Sequence, residues 1–439
     1  MAEDMTKALD DLPALLAGLA GSAALAGWDT RLITPPEPQP VDLVEAARAA
    51  LQHPAGSPCL SELAAGKRSA VIVTSDATRA VPNKVLLPLV LAELQTAGIS
   101  AANVTVLIAL GAHRPLARDE LAQLLGAEVL DRVRVVNHDP SGPCVAVGST
   151  DSGNELCVAP SFVEADVRIA LGLVEPHEFA GFSGGGKSVL PGIAGRDSII
   201  RNHSLEMLRR PGSRPGEVTT NPIRQEMDEA ARLAGLQFIV NVVLDRRLRP
   251  LAVAAGDPIV AHAELVRFMR AYASVSPPGD VEHPPDPPDL ILTGPGQPLD
   301  VNLYQSVKAL VAVEPWVHAA GSVVLLAHCR GGDGSSEMIE PFLDGGTPAE
   351  IIDRLPAEYT IEKDHSYFIA RFLSRCPHVT ACCPGVAAEK LETLGFVAAA
   401  TVDGALSEAI SRGTRSTQRG RPLAVLFPSP QHFLLDPWR

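Results

Sequence analysis

The sequence contains no long run of lysine and arginine, no C-x-x-C pair, and no charge-free stretch long enough for a membrane span. Each absence removes a class of protein. Thirty-seven basic residues stand against 51 acidic ones, for a formal net charge of −14. A dedicated nucleic-acid binder usually shows a basic stripe, so no nucleic-acid partner is expected. The acidic balance speaks to solubility rather than to fold. Seven cysteines (Cys59, Cys144, Cys157, Cys329, Cys376, Cys382 and Cys383) are scattered and odd in number. That pattern argues against a disulfide scaffold or a thiolate zinc site and fits a reducing cytoplasm. The adjacent Cys382 and Cys383 read as buried structural thiols.

The apolar run at residues 12–28, LPALLAGLAGSAALAGW, is short for a span. Glu3, Asp4, Asp10 and Asp11 precede it, where a signal peptide would be basic. A helix packed on the body of a soluble, cytoplasmic protein is expected, with no membrane partner. No short-period repeat and no extended low-complexity region interrupts the chain.

What is present is an α/β pattern. The 439 residues suffice for two or three domains, and 46% hydrophobic with 20% charged residues is ordinary for a globular protein. SAVIVTSD (69–76), NVTVLIALGAH (103–113), RVRVVNHD (132–139) and VRIALGLV (167–174) read as buried strands. QFIVNVVLD (237–245), DLILTGPG (289–296), GSVVLLAHC (321–329) and GFVAAATVDG (395–404) continue the series. Helical stretches such as 84–98 separate them. Continuous apolar strands alternating with helices predict mainly parallel sheets flanked by helices. The segment VSPPGDVEHPPDPPD (275–289) holds six prolines and four acids and reads as a semi-rigid linker. The expected division is an N-terminal domain over 1–281 and a C-terminal domain over 282–439. Polar residues gather after strand ends: Asp76 and Arg79, His113 and Arg114, Glu175 and His177. In open α/β sheets that edge is where ligands bind.

GFSGGGKS (181–188) satisfies the phosphate-loop pattern G-x-x-x-x-G-K-[ST] letter for letter. Its neighbours do not fit. Pro176 interrupts the approach from the preceding strand, and Pro191 and Gly192 fall where a helix must start. Proline in a helix interior costs about 3 kcal/mol and glycine about 1, so the phosphate-binding helix is lost. No strand ending in a magnesium-binding aspartate stands out. An NTPase using residues 181–188 remains the alternative to the reading that follows.

PHEFAGFSGGGKSVLPGIAGRDSIIRNH (176–203) resembles the signature P-H-x-F-A-G-F-S-G-G-A-K…P-G…N-H of the nickel-dependent lactate racemase family. SDATRAVP (75–82), LGAHRPL (110–116) and NLYQSVKAL (302–310) resemble three further segments of that family, in the same order. The resemblance implies a racemase or epimerase of 2-hydroxy acids with its active site in the cleft between two domains. It implies a nickel-pincer nucleotide, a pyridinium-3-thioamide-5-thiocarboxylate mononucleotide holding Ni(II), joined covalently to Lys187. His203 is then the protein ligand to nickel, and His113 and His177 are the paired acid/bases. The C2 hydrogen would move as hydride while a histidine takes the hydroxyl proton, near-neutral imidazoles suiting both directions. Arg79 would polarise the substrate oxygen, Asp76 and Thr78 would help hold the nucleotide, and Gln305 and Lys308 would hold the substrate carboxylate. From the residues alone, Asp76–Arg79 could equally form a helix N-cap. The glycines beside Lys187 are expected to let the backbone approach the cofactor ring. Cofactor-making enzymes are the expected loading partners, and a host lacking them should yield a chain with unmodified Lys187. Two departures, Ala80 and Gly186, look tolerable. In KDHSYFIARF (363–372) the family's substrate-side tryptophan is missing, which points away from lactate and leaves the particular acid open.

Overall fold

A computed structural model describes residues 9–33, 38–76, 79–111, 113–277, 286–412 and 421–437. The chain divides into two compact units, one spanning Glu37–Tyr272 and the other combining Met1–Pro36 with Ala273–Arg439.

In chain order the elements used below begin with α1 (Leu12–Ala20), β1 (Asp29–Leu32), α2 (Leu43–Gln52) and β2 (Ala70–Ser75). They continue with α3 (Asn83–Thr96), β3 (Val104–Ala109), β4 (Arg134–Asn137), β5 (Val167–Leu173) and α4 (Arg196–Asn202). Next come α5 (Pro222–Leu233), β6 (Phe238–Leu244), β7 (Pro250–Gly256), α6 (Val260–Ala273), β8 (Leu290–Gly294) and α7 (Leu303–Val313). The last are β9 (Ser322–Leu326), α8 (Asp364–Arg375), β10 (His378–Cys382), β11 (Val397–Ala398), α9 (Val402–Arg412) and β12 (Leu423–Pro428).

The Glu37–Tyr272 unit is built on a six-stranded sheet of order β7-β6-β5-β2-β3-β4. All neighbours run parallel except β6 and β7 at one edge, which are antiparallel. β2, β5 and β6 are almost wholly buried. That burial is why they read as unbroken apolar runs rather than as alternating patterns. Ile72, Val106, Ile169 and Val240 share a core with Leu86, Val90 and Leu94 of α3.

The second unit carries its own six-stranded parallel sheet, ordered β1-β12-β8-β9-β10-β11. Its first strand comes from the N-terminal end of the chain: Asp29–Leu32 pairs in register with Leu423–Leu426 of β12. Leu12, Leu16 and Leu19 of α1 join Leu290, Leu292, Val324 and Leu426 in one core. The two units are divided differently from the expected 1–281 and 282–439: the leading segment groups with the C-terminal unit, whose core takes Leu12, Leu16 and Leu19, and that unit resumes at Ala273. Much of the proline-rich segment lies outside the described residues.

A second correction concerns cysteine. Cys144 and Cys157 form a disulfide across the hairpin of Val145–Ser149 and Glu155–Val158, with Cα atoms 5.6 Å apart. Spacing in the sequence did not announce the pair, because the hairpin alone brings the two together. Cys329, Cys376, Cys382 and Cys383 are buried and Cys59 half-buried, and none of the five is in a disulfide.

Candidate active site

Three loops at the carboxyl edge of the first sheet carry most of the candidate residues. After β2 the chain turns at Asp76, after β3 at His113, and after β5 it enters a tight hairpin. In that hairpin Pro176 pairs with Phe182 and His177 with Gly181. The hairpin holds His177 and Phe179 on one short stretch, and Lys187 follows on a single 3-10 turn, Gly185–Ser188. The next regular helix, α4, opens only at Arg196 and ends in His203. No helix starts at Lys187, so the sequence-level rejection of a phosphate loop holds. The NTPase alternative is unsupported.

Phe179 is the centre of the arrangement. Its ring meets His177 edge-on at 4.7 Å and His203 edge-on at 5.0 Å, and the Lys187 Nζ lies 5.9 Å from its centroid. Three candidate residues spread over 27 positions of sequence thus converge on one aromatic ring, which sequence reasoning had not singled out. His177 and His203 are both buried. Burial, with the nearby Lys187 charge, pushes the His203 imidazole down to about 3. It is therefore a neutral ring with a lone pair to donate at any ordinary pH. His177 Nδ1 lies 3.3 Å from Glu178 Oε2 and 3.4 Å from the Ala180 amide.

Asp76 does not cap a helix, since α3 starts at Asn83. Its buried carboxylate instead stands 2.7 Å from His113 Nδ1. A carboxylate only accepts, so Nδ1 is the donor in this contact, and the His113 ring is half exposed. Arg79 pairs with Glu175 at 3.5 Å. Thr78 lies outside the described residues. Gln305 and Lys308 belong to the other unit, on α7, whose first turn is capped by the Asn302 side chain accepting from the Gln305 amide at 2.9 Å.

The loop that carries Lys187 is gripped by residues the sequence reading missed. Arg224 of α5, 1% exposed, donates to the carbonyls of Ala180 (3.3 Å), Gly184 (3.1 Å) and Phe182. Asn221 donates to Phe179 O at 2.7 Å, and His262 Nε2 to Ser183 O at 2.9 Å. The Gly185 amide donates to Asn241 Oδ1 at 2.9 Å. One signal was readable: Arg224 interrupts the buried stripe formed by Ile223, Met227, Ala230 and Ala231. A charge on an apolar helix face is held there by partners.

These contacts also correct the role expected of the glycines. A Cβ on Gly186 would sit 2.4 Å from Met227 O, and one on Gly185 3.0 Å from the His262 ring. The space they leave is filled by the protein's own α5 and α6, not kept for a cofactor ring. For the same reason, alanine in place of Gly186 is not tolerable here without a shift of α5.

Buried imidazoles, a half-buried amine and a further, exposed histidine are thus set on loops at the edge of a mainly parallel sheet in an α/β fold. The family model of the lactate racemase N-terminal domain matches residues 26–216, and that of the lactate racemase C-terminal domain matches residues 285–419. The chain belongs to the lactate racemase family. It is 36% identical over 329 residues to lactate racemase from Thermoanaerobacterium thermosaccharolyticum, covering 74% of this chain and 75% of the relative. To lactate racemase from Lactiplantibacillus plantarum it is 34% identical over 373 residues, covering 84% and 86%. The lactate racemase apoprotein structure from T. thermosaccharolyticum superposes with a TM-score of 0.82 at 32% identity, over 90% of this chain and 92% of that one. A Thermotoga maritima structure at 16% identity and a TM-score of 0.66, over 92% and 100%, shares the fold. The chain is accordingly an isomerase of lactate racemase-like type. Among the described residues no helix is long and apolar enough to cross a membrane.

Proposed function

We propose that this protein inverts C2 of a 2-hydroxy acid with a nickel-pincer nucleotide joined to Lys187 and ligated by His203. The observation that carries the reading is the gathering of Lys187, His177 and His203 around Phe179. The donor set fits the group: a buried imidazole that stays neutral is a good ligand for Ni(II). The half-buried Lys187 amine, once deprotonated, is a nucleophile able to form an amide-type tether. When bound, the cofactor supplies hydride acceptance and return at C2, which no side chain offers.

The chain's own residues do the rest. His113 and His177 serve as the bases that take the hydroxyl proton from one hand of substrate and return it to the other. Asp76 keeps the His113 proton on Nδ1, so Nε2 is the nitrogen that takes a proton from O2. Besides this, Asp76 and Thr78 are assigned to the nucleotide. Arg79 polarises the substrate oxygen, and Gln305 and Lys308 hold the carboxylate. The reading also places the chain in the cytoplasm, with the cofactor-making enzymes as loading partners.

The test is intact mass and metal content of the chain co-expressed with those enzymes. A mass gain that disappears in Lys187→Ala, with one nickel per chain, is expected. Unmodified Lys187 and no nickel would sink the proposal. Loaded enzyme is then incubated with single enantiomers of a panel of 2-hydroxy acids and read by chiral chromatography.

A further inference from the structure

His203 ends α4, and α4 is fastened to the hairpin of Val145–Ser149 and Glu155–Val158 in the same unit. The Gly195 amide, at the start of α4, donates to Cys157 O at 2.8 Å. Ser198, 1% exposed, accepts from the Cys157 amide at 3.1 Å and donates to Glu155 O at 2.8 Å. Asn154 Nδ2 donates to Ser198 O at 3.0 Å. At the hairpin turn, Thr150 (2.9 Å) and Ser152 donate to Glu226 Oε1. Asn202 Nδ2, beside His203, donates to the other oxygen of the same carboxylate at 2.6 Å. Directly or through Glu226, the hairpin is bonded to α4 from its first turn to the residue before His203.

Little apolar burial holds the outer strand of the hairpin. Val145–Ser149 is exposed except at half-buried Val147, and its pairing shifts register between Ala146 and Gly148. A lone two-stranded hairpin is marginal in water, so closure falls to the Cys144–Cys157 bridge. The bridge sits against the start of α4. A Cβ on Gly195 would lie 3.3 Å from Cys144 Sγ and 3.4 Å from Cys157 Cβ. Cys144 is exposed and Cys157 half-buried, so a reductant from solvent reaches the Cys144 sulfur first. In a reducing cytoplasm, the setting proposed above, disulfides are typically redox-sensing rather than structural.

We propose that the Cys144–Cys157 bridge is a redox-sensitive latch on α4, and that its reduction by a dithiol loosens the hold of His203 on nickel. The inference rests on the assignment of His203 as the nickel ligand. One thiolate of the dithiol attacks Cys144 Sγ, and Cys157 leaves as a thiolate that takes a proton. The second thiolate of the reductant then attacks its own sulfur in the mixed disulfide, and Cys144 leaves and takes a proton. Two electrons pass to the bridge, and the dithiol ends as a disulfide. The outer strand is then released to fray. Glu155–Val158 becomes an edge, and its hydrogen bonds to Gly195 and Ser198 open with it.

The test is amide hydrogen exchange, read by mass spectrometry on the full chain without cofactor. One sample is oxidised with glutathione disulfide and the other reduced with dithiothreitol. Reduction should quicken exchange about tenfold in 145–158 and also in 195–203, as opening a loop of this size loosens what it closes. The buried strands β3 and β6 should not change. Cys144→Ser combined with Cys157→Ser should exchange like the reduced chain with or without dithiothreitol, which excludes the other five thiols. Nickel release to a chelator, measured without reductant, should be about tenfold faster from the loaded double variant than from the oxidised wild type. A bridge that does not form with glutathione disulfide, faster exchange confined to 145–158, or equal nickel release would overturn the proposal. If the double variant does not fold, exchange in the oxidised and reduced wild type decides. A chain with unmodified Lys187 and no nickel, whose α4 still loosens on reduction, overturns the cofactor reading and leaves the latch on α4 standing. Loaded, active enzyme whose α4 exchanges equally in both redox states overturns the latch alone.

Discussion

At the scale of single residues, the site depends on how one loop is held. The carbonyls from Phe179 to Gly184, with Gly181 taken by the Gly216 amide, are met by Asn221, Arg224 and His262. Arg224 is the central grip, since one planar guanidinium reaches three alternate carbonyls. Arg224→Met removes those donors and leaves the carbonyls buried and unpaired. A loss of about 3–5 kcal/mol in urea unfolding is expected, the range for breaking a buried charged network. Retention of full stability would mean the carbonyls find other donors. His262 gives a pH dependence. Burial, aided by the Arg224 charge, pushes its imidazole down to about 3. The unfolded chain binds its proton from about pH 6.5 downward while the folded chain does not. Stability from this group is therefore complete above that pH and is lost as pH falls toward 3. His262→Gln keeps an N–H donor for Ser183 O and should flatten the fall of the urea midpoint between pH 7 and pH 4. Much of the residue scale was legible, because Lys187, His203 and His177 sit in one block of sequence. Phe179, Arg224 and His262 were not, because their roles exist only where distant segments meet.

At the scale of elements, β2, β3, β5, β6, β8 and β9 were legible as continuous apolar runs, and α3 as a helix, although Pro88 lies inside it. The buried β10 and β12 were not read, and 395–404, read as a strand, holds only the half-buried β11 before α9 begins at Val402. The four-residue β1 was not legible, because a short strand is identified by its partner and β12 lies at the other end of the chain. β7 was missed for a related reason: as an edge strand it is only partly buried and breaks the continuous pattern. α1 was expected to pack on the body, and the structure shows which core receives it. Leu16 is fully buried there. Leu16→Ala should cost about 2–5 kcal/mol in the unfolding of the C-terminal unit, read by denaturant titration. A change below about 0.5 kcal/mol would mean that α1 is not part of that core.

At the scale of the whole molecule, seven cysteines are divided into one bonded pair and five thiols. Thiol titration in denaturant should count five groups before reduction and seven after, and seven before reduction would exclude the pair. By itself the sequence determined the α/β class, most of the covered parallel strands and the family signature that names the candidate residues. Apolar periodicity and a dense motif are local properties that survive without coordinates. Only the tertiary structure decided which core α1 enters, which cysteines meet and what fills the space beside the glycines. It also decided that Asp76 serves His113 rather than a helix end. Each of these depends on pairing across long stretches of chain, where packing and hydrogen-bond satisfaction, not local propensity, select the partner.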